Sequence, residues 1–169
     1  MKKSILLVLI AVLLFGCHKN SSNSSNSAAT PTPPPPPAAT FSCTINGVPF
    51  TATSISAQGN SSGLQIEAAY SSATIYQNVN ISIYQSYSTG TYALGSVSGS
   101  SNDGIYNTGP NSTSFTEYYT TTAPPANGTC VITTNSNNVV SGTFSFICTN
   151  PSNPPNITIA NGSFTNVTF

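Results

Sequence analysis

Three carboxylates, three cysteines and eight tyrosines hold most of the reactive chemistry available to this chain beyond residue 40. Glu67, Asp103 and Glu117 are the only formally charged side chains there, because Arg is absent throughout and Lys2, Lys3 and Lys19 lie near the start. Hydrolysis of a glycosidic bond needs two carboxyls facing each other at roughly 5 to 10 Å. A glycosidase would therefore have to use Glu117 with Glu67 or Asp103. Alternation sets Glu67 on the face opposite Leu64, Ile66 and Ala68, toward solvent. Asp103 stands in an Asp-Gly pair that suits a turn, and Glu117 shares a strand face with Phe115 and Tyr119. Ser and Thr are plentiful, but the single His, His18, precedes the candidate domain and no Lys lies within it, so no base is at hand to activate a hydroxyl. No catalytic, cofactor-binding or metal-ligating residue is assigned, and an enzyme is not expected.

Cys43, Cys130 and Cys148 lack any C-x-x-C spacing and any His beside them, which argues against zinc. Export would permit disulfides. However, a four-residue loop over Asn135 to Asn138 sets Cys130 opposite Thr143 or Phe144, short of Cys148. Three buried small hydrophobes are the expected outcome, with a Cys43–Cys148 bridge requiring adjacent first and penultimate strands. The tyrosines are Tyr70, Tyr76, Tyr84, Tyr87, Tyr92, Tyr106, Tyr118 and Tyr119. Tyr76 and Tyr84 fall on the polar face of their strand, and Tyr118 and Tyr119 point opposite ways, so some are exposed. Exposed Tyr among Asn, Ser and Thr suits sugars; half-buried strand residues with the hydroxyl at the rim are the plainer reading.

The elements that must position these side chains are strands. Phe41, Cys43 and Ile45 alternate with polar residues up to Asn46-Gly47, a pair that favours a type I′ hairpin turn. Leu64, Ile66, Ala68 and Tyr70 share one face, as do Ile75, Val79, Ile81 and Ile83, with Asn78, Asn80 and Ser82 between them expected to face water. Tyr92 and Leu94, Ile105-Tyr106, Ser114 to Thr122, Cys130 and Ile132, and Val140 to Cys148 continue the pattern. Ile157 and Ile159 lead to Asn161-Gly162, either a hairpin turn or a bulge in one long strand. Helical periodicity is nearly missing. The expectation is an all-β domain over residues 41–169, an antiparallel β-sandwich or small barrel of about nine or ten short strands.

The first forty residues carry an address. Lys2 and Lys3 precede an apolar run from Ile5 to Phe15, shorter than the roughly 20 residues of a membrane span. It ends in Leu14-Phe15-Gly16-Cys17, which resembles a bacterial lipobox: residues 1–16 would be a lipoprotein signal peptide and Cys17 the lipidated mature N-terminus. Residues 17–40, rich in Ser and Asn and then holding Pro33 to Pro37, read as a tether with a stiff polyproline spacer. With 27 Ser, 23 Thr and 19 Asn against 4% charged residues, the surface is neutral, and nothing in it would neutralise a nucleic-acid backbone.

A resemblance rests on FSCTINGVPFTA at 41–52, GLQIEA at 63–68, GTYAL at 90–94, GTCVIT at 128–133, VSGTFSF at 140–146 and ITIANGSFTNVTF at 157–169. In order and spacing these segments are similar to those of small Bacteroidetes-type cell-envelope lipoproteins that carry a domain of unknown function. The resemblance implies an all-β domain on a lipid anchor and carries no activity or site residues. The reading is therefore a lipid-anchored protein of the bacterial cell envelope, held at the outer membrane. Its periplasmic or surface face is left open. Its domain is a non-enzymatic binding or structural module, with glycan or an envelope protein as partner. A glycan-binding module using exposed Tyr is the alternative, and a glycosidase-like enzyme the rival from another class.

Overall fold

The computed structural model describes residues 35–95, 102–120 and 127–169. The signal segment, Cys17 and the tether up to residue 34 lie outside the described residues, as does the end of the Ser114 to Thr122 stretch. Pro35 to Ala39 are exposed and outside any strand. Eleven strands follow: β1 (Thr40–Ile45), β2 (Val48–Thr51), β3 (Ser54–Asn60), β4 (Gly63–Ser71), β5 (Tyr76–Ile83), β6 (Gly90–Leu94), β7 (Asp103–Asn111), β8 (Ser114–Tyr119), β9 (Gly128–Ser136), β10 (Val139–Cys148) and β11 (Ile157–Thr168). Among the described residues there is no helix. Two antiparallel sheets form, ordered β2-β1-β11-β10-β9-β6 and β3-β4-β5-β7-β8. The all-β expectation holds. The two sheets do not close into a barrel, so the domain is a sandwich, with eleven strands rather than nine or ten. The strand that alternation did not reveal is β3, whose sequence SISAQGN holds one large apolar residue, Ile55.

Backbone chemistry sets the turns. Asn46 and Gly47 both have positive φ, 49° and 82°, as the type I′ turn between β1 and β2 requires. Asn46 also joins its hairpin to β11: its amide donates to the Thr158 carbonyl and its Oδ1 accepts from the Thr158 amide, each at 2.8 Å. The β9–β10 loop is tighter than the four residues expected, with Asn137 and Asn138 at positive φ between paired Ser136 and Val139. That turn alone would set Cys130 opposite Ser145; the register shift between Ser141 and Gly142 returns it to Phe144, one of the two partners expected from the sequence. Asn161-Gly162 is a bulge inside β11 rather than a hairpin, with Asn161 at φ 51°.

The core lies between the sheets and gathers the alternating apolar residues of both, among them Phe41, Ile66, Ile81, Ile132, Phe146 and Phe164. Gly104 shows how closely the layers approach. A Cβ there would lie 2.8 Å from the Phe146 ring of the opposite sheet. This corrects the reading of Asn102-Asp103-Gly104 as a turn: Asp103 and Gly104 begin β7, and the glycine serves packing. Asn102, buried, ends the preceding connection instead; its Oδ1 accepts from the Tyr84 amide at 3.0 Å and its Nδ2 donates to the Ala93 carbonyl at 3.2 Å. A second correction concerns β5. Its polar residues do not face open water: Asn78 is 2% exposed, Asn80 9% and Ser82 1%. β5 is the central strand of its sheet, with β4 and β7 on its two flanks. Ile75, assigned to its apolar face, precedes the strand and is exposed.

Candidate functional site: the outer face of the five-stranded sheet

Register places the residues of this face in rows across the strands. One row runs Ser56, Glu67, Asn80, Ile105, Tyr119, and the next Ser54, Ala69, Asn78, Asn107, Glu117. Ser82 opposite Asp103, and Tyr76 opposite Gly109, bound them at either end. All three carboxylates of the domain therefore lie on one face. Glu67 points outward as expected, and Glu117 keeps the company of Phe115 and Tyr119. Asp103 joins them because it is a strand residue and not a turn residue.

A chain of amides links the strands. Asn107 Nδ2 donates to Asn78 Oδ1 at 3.5 Å, and Asn78 Nδ2 donates to Glu67 Oε1 at 2.7 Å. Ser82 Oγ donates to Asn80 Oδ1 at 3.0 Å. Each buried amide is thus tied to a neighbour, as a polar group taken from water must be. Two acceptors are left over: Asp103 Oδ1 and Asn107 Oδ1 are buried without a partner. Burial pushes the Asp103 carboxyl above its ordinary value of 3.8; the Ser82 hydroxyl offsets part of this, and the Glu117 carboxylate adds to it. Burial also raises the Tyr76 phenol, with the Glu67 charge adding to the shift and Asn78 opposing it.

Aromatic rings rim the amides. Tyr76 and Phe115 stand 6.1 Å apart at 43°, on strands separated by β7. They meet because Gly109 lies between them; a Cβ there would strike the Phe115 backbone, at 2.6 Å from its Cα. Phe115 is 45% exposed, Tyr119 40% and Tyr84 57%. The other tyrosines serve the core or its margin. Tyr92 and Tyr106 are buried, and Tyr70, Tyr87 and Tyr118 pack against the core. Tyr106 accepts from Gln77 Nε2 at 2.8 Å and Tyr92 donates to the Ser88 carbonyl at 2.9 Å, so each hydroxyl has a partner. Pattern reading found the rings but not the amide chain, whose signal was the run Asn78, Asn80, Ser82 on a strand flanked on both sides.

The three cysteines are free and buried, and burial raises each thiol to about 12. Cys148 Sγ lies 3.6 Å from the Ile157 carbonyl, and no bridge forms among them. The described residues contain no cluster of metal-ligating side chains. The carboxylates share a face. Shallow pockets on the described surface are lined by Gln58, Leu64 and Tyr84, by Ser145, Ile147 and Thr158, by Thr108 and Phe115, or by Pro49, Tyr70 and Gln77, and none of these includes Glu67, Asp103 or Glu117. Three strand spacings separate β4 from β8 and Glu117 lies one row along from Glu67, so their Cα atoms stand about 16 Å apart.

The sequence model of a family defined by a domain of unknown function, DUF6252, matches residues 38–168. The chain belongs to that family. The DUF6252 match takes in every strand from β1 to β11. No curated protein and no solved structure matches the chain.

Proposed function

We propose that this DUF6252 chain is a non-enzymatic binding module carried on a lipid anchor at the bacterial outer membrane, and that it binds through the outer face of the five-stranded sheet. The observation that carries the reading is the joined Asn107–Asn78–Glu67 chain with Tyr76 and Phe115 at its end. The exposed Glu67 carboxylate, fixed by buried Asn78, and the half-buried Asn107 amide offer oriented polar groups, and the rings offer apolar faces. A neutral carbohydrate presents the complement, hydroxyls at its edge and C–H groups on its faces. Three carboxylates with no cation beside them disfavour anionic ligands on this face. The wide spacing of Glu67 and Glu117 and the lack of His or Lys in the domain support binding without bond cleavage. The anchor rests on Leu14-Phe15-Gly16-Cys17.

Two measurements test this. Mass spectrometry of protein from the membrane fraction should show loss of residues 1–16 and acyl mass on Cys17, and Cys17→Ser should release the chain; full membrane retention of Cys17→Ser would refute the anchor. On an array of neutral glycans the purified chain should bind, and Tyr76→Ala or Phe115→Ala should weaken binding about tenfold, within the 1–3 kcal/mol span of one lost ring contact. Tyr84→Ala, at the far end of the face, should leave it unchanged. Silence across the array removes carbohydrate as the ligand.

A further inference from the structure

β3 ends the five-stranded sheet with a bare edge, and its hydrogen-bonding pattern can be derived. Asn60 and Gly63 flank the two-residue turn Ser61-Ser62, so they form a hydrogen-bonded pair. The register from Ser54↔Ala69 to Asn60↔Gly63 is unbroken. Every second pair is therefore bonded: Ser54, Ser56, Gln58 and Asn60 turn their backbone groups toward β4. Ile55, Ala57 and Gly59 turn theirs away from the sheet. No described residue bonds to those outward groups.

Exposed edges are normally blunted by proline, charge, bulges or brevity. The other edges here are treated so. β2 has four residues and includes Pro49. β6 has five and opens on Gly90 at φ 153°. β8 has a register break opposite Thr108 to Asn111, and Tyr119 at its end exchanges backbone bonds with Thr149. β3 has seven residues, no charge, no proline and no internal bulge.

We infer that the β3 edge is an interface at which a second copy of this chain adds antiparallel, joining two five-stranded sheets into one. A two-fold axis at Ala57 sets Ala57 opposite itself and Ile55 opposite the second copy's Gly59. All three outward residues of each copy are then used, giving about six inter-chain hydrogen bonds; a slip of two residues keeps about four. The same register solves a packing problem. The space a Cβ would take at Gly59 is occupied by the Phe169 ring and the Tyr87 hydroxyl, rings paired at 5.6 Å. Each Ile55, half-buried in the single copy, gains that aromatic pair as a neighbour. No like charges meet, and the interface is isologous, so it closes at two copies.

Disulfide trapping in membranes of cells making the full chain tests the register. Ser56 and the second copy's Gln58 would form a non-bonded pair with Cα atoms about 4.5 Å apart, within disulfide range. Co-expressed Ser56→Cys and Gln58→Cys chains should cross-link well above the parent chain and above Ser114→Cys on the β8 edge. Ala57→Pro, which removes an outward donor and leaves the β3–β4 bonds intact, should lower that yield about tenfold. Should Ala57→Pro fail to fold, Ser56→Lys with Gln58→Lys on solvent-facing positions takes its place. In detergent the parent should sediment as a dimer and this variant as a monomer. Cross-linking no higher than at Ser114, an unchanged yield in a folded Ala57→Pro chain, or a parent monomeric at every concentration overturns the inference.

Discussion

At the level of the residue, folding moves the Asp103 carboxyl from water onto a sheet face where one of its oxygens has no donor. Its proton is held more tightly in the folded chain than in the unfolded one, since burial raises it above 3.8. Between the unfolded and folded values the native state binds more protons, so stability falls as pH rises through that window and stays lower above it. Asp103→Asn removes the ionisation. The variant should be more stable than the parent at neutral pH, and the difference should shrink as pH falls through that window and level off below 3.8. Urea denaturation of both chains across that range checks it; a variant no more stable than the parent at neutral pH contradicts the argument. The cysteines follow from the same physics. Their alternation with polar neighbours marked them as inward-facing, and burial holds the thiols in the protonated form, which is a poor nucleophile.

At the level of the element, β11 depends on its bulge. Asn161 takes positive φ, and Gly162 leaves room for the Phe144 ring, which a Cβ would strike. Phe144 in turn packs on Phe41 at 4.9 Å and on Phe164 at 6.4 Å, so the bulge positions three aromatic residues of the core. Gly162→Ala should cost about 1–3 kcal/mol by overpacking, read as a lower urea midpoint at unchanged slope. A loss below about 0.5 kcal/mol, the span of an ordinary surface change, would show that Phe144 can move aside. The Asn161-Gly162 pair announced a backbone irregularity. Whether it turned the chain or bulged it depended on pairing with β10 and β1, which lies far away in sequence. β3 was illegible for a related reason: an edge strand is stabilised by its neighbour β4, and its own residues carry little alternation.

At the level of the whole molecule, Phe146 couples the two sheets. It lies in the six-stranded sheet and fills the space over Gly104 in the other. Phe146→Ala should therefore destabilise the entire domain by about 3–5 kcal/mol. Circular dichroism and tyrosine fluorescence should still report one coincident transition. Separate transitions for the two probes would mean that the sheets unfold independently.

Composition and period-two alternation determined the all-β class, because one buried face per antiparallel strand writes itself into the residue order. They also determined most of the apolar residues that face the core, Ile75 excepted, and narrowed the partner of Cys130 to Thr143 or Phe144, between which the β10 bulge decided. Asn46-Gly47 determined its own turn, since positive φ is a local demand. Tertiary structure alone decided which strands are neighbours, and with that the gathering of Glu67, Asp103 and Glu117 on one face. It alone buried Asn78, Asn80 and Ser82, because a central strand is covered from both flanks whatever its polarity. It alone left β3 bare. Each of these is a relation between segments distant in the chain, and no local pattern encodes which segment will lie beside it.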